Sequence, residues 1–560
     1  MTDLRVTEPL LRIPPFPGAR VKAFTSTGPG LASGLSSVTE ILKLMRNARI
    51  GGTFWGAQPE LPQGDYLLVR TRDTQMRAEA LGQAAGPVVI WAQEEQRGDT
   101  LDDSVTLVVG AADPWHMLSR ARMVWTDADD ETAFIAALMH VPLGFSRAAG
   151  RFTALGRSDP QALEQIATRE LARAWADPFT GAATGVDRII LYCAEWRRLI
   201  DTNRPVMAAF GFGHWKQGTV DALLWGGNSA HTPFLAPRRE QLDALPADAA
   251  VALWKARVPE SFLAACEQSG RPLYEVEDGF IRSVGLGADC VPPLSIVVDP
   301  VGVHYDPARP SELENLLIDR NFAPDLLVRA RQLCTLIIES GISKYEAGGV
   351  APLPRPGGAR RHILVTGQVE DDRSVMAGGG DVQGNFDLLA RARAVEPDAF
   401  ILYKPHPDVL SGHRKGHVAH SDALRHADAV VTDQPISTLL DMVDGVHVLT
   451  SLAGFEGLLR GKDVTTHGVP FYAGWGLTTD LGEVPERRRG HKRTLDELVA
   501  ATLLLYPRYL DPITGLPCPP EVLIKRLKSG GARRKNTILV SLRRAQGKMR
   551  RWLSGVKTAS

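Results

Sequence analysis

The sequence predicts an α/β protein: two Rossmann-like lobes around a cleft, preceded by a further α/β domain of lower regularity. Three observations predict it. Short apolar runs alternate with helical patterns from about residue 204 to 528, the signature of parallel sheets flanked by helices. A Pro- and Gly-rich stretch, 346–360, divides that series in two and reads as a linker between lobes. Finally, Asp177-Pro-Phe-Thr-Gly181 recurs as Asp511-Pro-Ile-Thr-Gly515, each copy lying between helical stretches, as in a repeated module.

The elements follow in order. Residues 1–195 read as a degenerate or truncated first module. Within them Met123-Val-Trp-Thr126, followed by Glu131-Thr-Ala-Phe134, echoes Val446-His-Val-Leu-Thr450 followed by Phe455-Glu-Gly-Leu458. His140-Val-Pro142 likewise echoes His467-Gly-Val-Pro470. Residues 200–345 read as the first lobe of the complete module, with strands at 250–254, 273–276 and 294–298 and helices at 311–318 and 324–340. Residues 346–528 read as the second lobe. Its strands are expected at 362–366, 400–403, 429–432 and 446–450, and its helices at 385–395 and 454–460. Ligands of such lobes bind at the carboxyl ends of the strands. Residues 529–560 form a basic tail.

Composition bounds the class. The chain has 560 residues, 44% hydrophobic and 23% charged, ample for several buried cores and unlike a disordered or disulfide-stapled chain. Five cysteines are widely spaced with no C-x-x-C pair, which argues against a zinc ribbon and for a reducing compartment. No apolar run approaches the roughly 18 residues of a membrane span, so a cytoplasmic protein is expected. The formal net charge is zero, but 522–560 carries twelve Lys or Arg and no acid. The rest therefore holds 52 bases against 64 acids, a net of −12. Two nucleotide signatures are absent. Gly211-Phe-Gly213 lacks the third glycine of G-x-G-x-x-G, and Gly461-Lys462 is followed by Asp463 rather than Ser or Thr.

Several clusters fall at expected strand ends. Gly367-Gln-Val-Glu370-Asp371-Asp372 places three adjacent acids together, and like charges raise one pKa or call for a cation. One reading is a catalytic carboxylate; the other is a solvated acidic turn. Lys404-Pro-His406-Pro-Asp408 fixes an imidazole between two prolines beside a lysine, suited to neutralising a phosphate leaving group. The alternative is a histidine that caps a helix. Thr450-Ser451-Leu-Ala-Gly454-Phe-Glu456 reads as a strand, a small-residue turn and a helix start, where free N–H groups bind phosphate. An ordinary serine cap gives the same pattern. Gly468-Val-Pro-Phe-Tyr472-Ala-Gly-Trp475-Gly476 interleaves aromatics with glycines, and aromatic faces stack on bases or sugars. Glu277-Asp278-Gly-Phe-Ile-Arg282-Ser283 offers acids and an arginine able to hold a sugar carboxylate. His413, His417 and His420 lack the glutamate of H-E-x-x-H and read as a solvated turn rather than zinc ligands.

Together these motifs resemble the bacterial capsule-polysaccharide β-Kdo transferases, the KpsC family. The resemblance spans roughly 200–528 and includes Pro292-Pro-Leu-Ser295, Tyr305-Asp306, Arg309-Pro-Ser311 and Ser343-Lys-Tyr345 beside the clusters above. It implies a GT-B-type glycosyltransferase that moves the acidic sugar Kdo from CMP-Kdo to a phosphatidylglycerol-type lipid already bearing Kdo, with retained configuration. It implies Asp372 as leading catalytic carboxylate, with Glu370 and Asp371 as substitutes, and His406 acting on the departing CMP. Lys404, Ser451, Gly454, Glu456 and Gln368 would hold the donor, and Glu277, Asp278, Arg282, Tyr472 and Trp475 the acceptor. No metal or cofactor is required. The family carries two complete modules in tandem, whereas here Glu-Asp-Gly-Phe, Lys-Pro-His-Pro and Phe-Tyr-Ala-Gly-Trp-Gly are absent before residue 195. The first part is therefore expected to be structural or to bind acceptor.

The tail interleaves Arg533-Arg-Lys535, Arg543-Arg544 and Arg550-Arg551 with Ile538, Leu539, Val540, Leu542, Met549, Trp552 and Leu553. This basic amphipathic pattern fits an anionic membrane surface, at about 1 kcal/mol per nearby basic residue. Nothing else in the chain suggests nucleic acid. A peripheral location at the inner membrane, beside other capsule-assembly proteins, is expected. The competing readings are transfer from another nucleotide sugar and an inactive scaffold of capsule assembly and export.

Overall fold

The computed structural model describes residues 8–24, 37–71, 73–82, 86–93, 105–145, 150–156, 161–227, 229–281, 291–341, 355–412 and 414–530. Arg282, most of the linker at 346–360, His413 and the tail from 531 lie outside these residues. The chain falls into two units. The first comprises 1–205 with 224–232 and 514–516; the second comprises the rest. The boundary expected at 195 falls inside the helix Val186–Asn203, so the first unit runs on to Pro205.

The first unit contains β1 (Tyr66–Arg70), β2 (Val88–Ala92), β3 (Val105–Val109), β4 (Ala121–Thr126) and β5 (Leu143–Phe145). They form one parallel sheet in the order β3-β2-β1-β4-β5. Leu67, Val69, Val88 and Ile90 pack beneath it. A two-stranded pair, β6 (Trp175–Ala176) and β7 (Ala183–Thr184), follows. Its turn is the first copy of the repeated pentapeptide. Asp177 Oδ1 accepts from the N–H groups of Phe179 and Thr180, and Gly181 takes φ +73°.

The second unit is two lobes. The first is built on β8 (Val206–Phe210), β9 (Phe234–Leu235), β10 (Ala250–Leu253), β11 (Leu273–Asp278) and β12 (Ser295–Asp299). The second lobe holds β13 (His362–Thr366), β14 (Phe400–Lys404), β15 (Ala429–Val430), β16 (Gly445–Val448), β17 (Asp463–Thr466) and β18 (Thr479–Asp480). The chain then returns to the first lobe as β19 (Pro507–Leu510) and β20 (Pro517–Cys518). The first lobe's sheet runs β20-β19-β12-β11-β10-β8-β9, with β8 to β11 parallel and β12, β19 and β20 added antiparallel. This return corrects the expectation that everything from 346 to 528 belongs to the second lobe. The unsatisfied edge of β12 takes Pro507–Leu510 as its partner. Asp511 accepts from the Ile513 N–H and Gly515 takes φ +73°, so the second copy of the pentapeptide also shapes a turn between paired strands.

The second lobe's sheet is wholly parallel, in the order β15-β14-β13-β16-β17-β18. Its central strand, His-Ile-Leu-Val-Thr, is buried throughout, as expected of a strand covered on both faces. Ile363, Val365, Ile401 and Tyr403 meet Leu388, Leu389 and Ala392 of the helix Gly384–Val395. The first strand lies inside, two follow on one side, and the chain then crosses to the other. The first unit has the same order. The two sheets thus share one winding, in keeping with the internal echoes of the sequence.

Candidate active site

In an open parallel sheet, ligands bind where the strand order reverses, beyond the carboxyl ends of the two strands that flank the reversal. In the second lobe that point lies between β13 and β16. The segments leaving these strands are Gly367 to Asp372 and Leu449 to Glu456, both singled out by their sequence. Gln368 ties them together. Its Nε2 donates to Thr450 Oγ1 at 3.0 Å, and its Oε1 accepts from the Thr450 N–H at 2.8 Å. Asn385 holds Gln368 in turn: its Oδ1 accepts the Gln368 N–H, and its Nδ2 donates to the carbonyls of Gln368 and Gly416. Gln368, expected to touch the donor, is a buried strut across the reversal point.

The three acids have three separate partners, which resolves their crowding. Glu370 Oε1 accepts from the Asn385 N–H at 3.1 Å, at the start of the helix Gly384–Val395. Asp371 pairs with Arg414 at 3.1 Å. Asp372 is exposed and caps the helix Arg373–Gly378, its Oδ1 accepting from the Ser374 N–H at 3.0 Å and from Ser374 Oγ at 2.7 Å. Asp372 is thus an exposed carboxylate at the sheet edge, held in place as a helix cap.

β14 delivers the second cluster to the same edge. The half-buried His406 caps the short helix Pro407–Leu410, with Nδ1 accepting from the Asp408 N–H at 3.1 Å. An acceptor Nδ1 carries no proton, so the neutral ring is protonated at Nε2. Lys404 is buried, and its ammonium donates to the Gln434 carbonyl. Ser451 caps the helix Leu452–Leu459, Oγ accepting from the Ala453 N–H at 3.2 Å. Glu456 lies buried on that helix.

The aromatic loop is corrected. Tyr472 and Trp475 are fully buried, so neither presents a face for a substrate to stack on. Tyr472 donates to the Ser451 carbonyl, and burial raises its phenol. Trp475 Nε1 donates to the Phe471 carbonyl at 2.9 Å. Gly454 is small because a Cβ there would overlap the Tyr472 hydroxyl. The loop is thus a core plug that sets the helix Leu452–Leu459 against β17. Interleaved Gly and aromatics signal close packing as readily as a ligand surface.

The first lobe meets this edge through Arg373, which sequence reasoning passed over although it follows the acids directly. Its Nη2 donates to the Lys255 carbonyl, just beyond β10, at 3.0 Å. Lys255 pairs with Glu275 on β11. Burial and the Glu277 carboxylate push the Tyr305 phenol up, against the pull of Arg373, so these three side chains share one neighbourhood. Asp278 pairs with Lys216 at 3.4 Å. Glu277 and Asp278 thus lie at the carboxyl end of β11, on the side of the lobe that Arg373 reaches. Among the described residues no group of three or more His, Cys, Asp or Glu is arranged to hold a metal ion.

The matching edge of the first unit is chemically different. Thr71 Oγ1 donates to Asp127 Oδ1 at 2.6 Å across its own reversal point, between β1 and β4. The helix beyond, Glu131–Leu138, is capped by Asp130, with Glu131 in its first turn. Arg12 bonds both oxygens of Glu131 at 2.6 Å, and Arg70 pairs with Asp130 at 3.0 Å. Arginine-paired carboxylates occupy the helix start that carries Ser451 and Gly454 in the second lobe.

Comparison with known proteins finds relatives for part of the chain. Residues 249–509 match the family described as capsule polysaccharide biosynthesis protein. The capsule polysaccharide modification protein LipA of Neisseria meningitidis serogroup A is 40% identical over 341 residues, which is 61% of this chain and 48% of LipA. The lipopolysaccharide-processing protein LpsZ of Rhizobium meliloti is 47% identical over 245 residues, 43% of this chain and 55% of LpsZ. The chain thus spans about half the length of these curated relatives. A solved structure of Thermosulfurimonas dismutans KpsC, a β-Kdo 2,7 transferase, is 33% identical, covering 58% of this chain and 99% of that one, with a TM-score of 0.48.

Proposed function

We propose, on the premise that residues 249–509 belong to the capsule polysaccharide biosynthesis family, that the second unit is a glycosyltransferase that moves Kdo from CMP-Kdo to a Kdo-bearing lipid acceptor. The observation that supports this reading is that Asp372, His406 and the Ser451-capped helix all follow strands at the carboxyl edge of one parallel sheet, on either side of its reversal point. The match of the family and the similarity to LipA support the capsule setting.

Each residue has a role in this reaction. The N–H groups that open the helix Leu452–Leu459 face the donor phosphate, where an unneutralised helix start favours an anion. His406, with its proton on Nε2, hydrogen-bonds or protonates the departing CMP. Asp372 attacks the anomeric carbon and CMP leaves, giving a glycosyl ester. An acceptor hydroxyl then displaces the carboxylate, losing its proton to a base, and the two inversions return the original configuration. The two hydrogen bonds from Ser374 fix the attacking carboxylate in one orientation. The first unit takes no part in the chemistry. The basic tail draws the enzyme to an anionic membrane face, where its lipid acceptor lies.

The deciding experiment offers CMP-Kdo and a Kdo-primed lipid analogue to the full chain and to Asp372→Asn. Asparagine caps a helix as well as aspartate does, so this variant keeps the fold and loses only the nucleophile. Release of CMP and extension of the acceptor by the wild type, with loss of at least a thousandfold in the variant, supports the reading. Transfer at wild-type rate by Asp372→Asn overturns the site, and transfer from a different sugar nucleotide alone overturns the donor.

A further inference from the structure

The reversal rule identifies a second edge, in the first lobe, where the order β11-β10-β8-β9 turns back between β8 and β10. The segments leaving these strands are Gly211-Phe-Gly-His-Trp215-Lys216 and Trp254-Lys255-Ala-Arg257. We propose that this edge is the acceptor platform: Trp215 stacks on the terminal sugar of the acceptor, and Arg257 pairs with that sugar's carboxylate. The proposal deepens the functional reading above and rests on it.

The glycines of the 211–213 turn explain its construction. Gly211 takes φ +84°, and a Cβ there would stand 2.6 Å from the Trp254 carbonyl oxygen. A Cβ at Gly213 would stand 2.9 Å from Trp215 Nε1. Gly211 lets two backbone segments approach and Gly213 lets the Trp215 indole lie against the chain, a use quite different from a nucleotide fingerprint. Trp254 is buried, and the Lys216 ammonium sits 3.0 Å above its ring centre, 5.1 Å from that of Trp215, and 3.4 Å from Asp278. The buried Lys216 and Trp254, with the half-buried Asp278, fix the floor.

Trp215 itself is only half-buried, and the exposed Arg257 guanidinium lies 5.8 Å from its ring centre. Arg257 has no carboxylate partner among the described residues, whereas Lys216 and Lys255 are paired with Asp278 and Glu275. Among the described residues the rim therefore offers a cation without a carboxylate beside a half-buried indole. A sugar that carries its own carboxylate satisfies both at once, since the ring's apolar face packs on indole and the carboxylate takes a charge-assisted bidentate bond. The platform also adjoins the proposed reaction edge. Arg373, the residue after Asp372, bonds the carbonyl of Lys255, two residues before Arg257.

The test measures binding and turnover separately in the full chain. A soluble Kdo-terminated acceptor is titrated by calorimetry, without donor, into wild type, Trp215→Ala, Arg257→Ala and Arg257→Lys. A neutral-sugar analogue serves as control. The expected result is a rise of about tenfold or more in Kd for the acidic acceptor in Trp215→Ala and Arg257→Ala, the scale of one charge-assisted contact. Partial recovery is expected in Arg257→Lys, and no effect of Arg257→Ala on the neutral analogue. In turnover the acceptor KM rises with the donor KM unchanged. Unaltered acceptor Kd in both alanine variants, or equal loss of neutral and acidic analogues in Arg257→Ala, overturns the platform. Wild type that binds the acceptor through these residues yet never turns over CMP-Kdo overturns the donor reading instead.

Discussion

Asp372 and His406 each cap a helix, and the proposed reaction gives each a chemical role as well. Each caps a short helix through an oxygen or nitrogen that accepts a backbone N–H. His406→Asn keeps a capping acceptor and loses the imidazole, so a drop of 10²–10⁴ in turnover with an unchanged Tm is expected. His406→Ala is expected to cost about 1 kcal/mol of stability as well, measured by thermal melting. A different histidine pair reports on folding. His447 and His467 are buried and hydrogen-bonded at 3.1 Å, and burial lowers them to about 3 and about 4. Both sit below the unfolded value near 6.5. Stability is therefore fully present above pH 6.5 and is lost as the pH falls towards 4, because the unfolded chain binds two protons that the folded chain refuses. Each refused proton steepens the loss by up to about 1.4 kcal/mol per pH unit. Urea unfolding at pH 7, 6 and 5 should show this slope, and His447→Gln/His467→Gln should flatten it.

At the level of elements, the helix Leu452–Leu459 depends on one close approach. Gly454→Ala places a methyl against the Tyr472 hydroxyl and should destabilise by about 1–3 kcal/mol. Removing that hydroxyl in Gly454→Ala/Tyr472→Phe should recover part of the loss, read as a rise in Tm over the single variant. The strands of the parallel sheets were legible because each contains a short apolar run. The runs expected at 362–366, 400–403 and 273–276 appear as His362–Thr366, Phe400–Lys404 and Leu273–Asp278. The strand Asp463–Thr466 escaped notice because it is short and polar, and it pairs only because β16 offers it an edge. Likewise the helical stretch before the second pentapeptide begins as Leu495–Val499 and widens into a π-helical stretch, Ala500–Leu505, a change that hydrophobic periodicity does not signal. Gln368 and Asn385 were legible only as polar residues near a strand end; their mutual bonding joins positions 17 residues apart.

For the whole second unit, the two lobes are held by buried charge. Glu314, from the first lobe, pairs with Arg487 at 2.6 Å and with Arg488, and Arg488 Nη1 donates to the carbonyls of Pro470 and Ala473 in the aromatic loop. Glu314→Gln leaves two arginines without their carboxylate and is expected to cost about 3–5 kcal/mol, seen as a large fall in denaturant midpoint. The tail is tested by vesicles: deletion of 531–560 should abolish co-sedimentation with phosphatidylglycerol-containing liposomes, and unchanged binding would remove the tail from the membrane reading.

Local order in the chain was enough to place these motifs at strand ends. Strand, acidic turn, prolines around a histidine and small-residue helix start all depend on neighbours in sequence, so their positions at one sheet edge followed from the alternation of strands and helices. What needed the folded molecule was every decision between contact and exposure. Whether Tyr472 and Trp475 face a ligand or the core, whether Arg373 reaches the other lobe, and which acid remains at the edge all depend on residues distant in the chain. Burial and pairing are properties of the packed interior, where a side chain's partner is selected by topology and shape, and no local pattern encodes that choice.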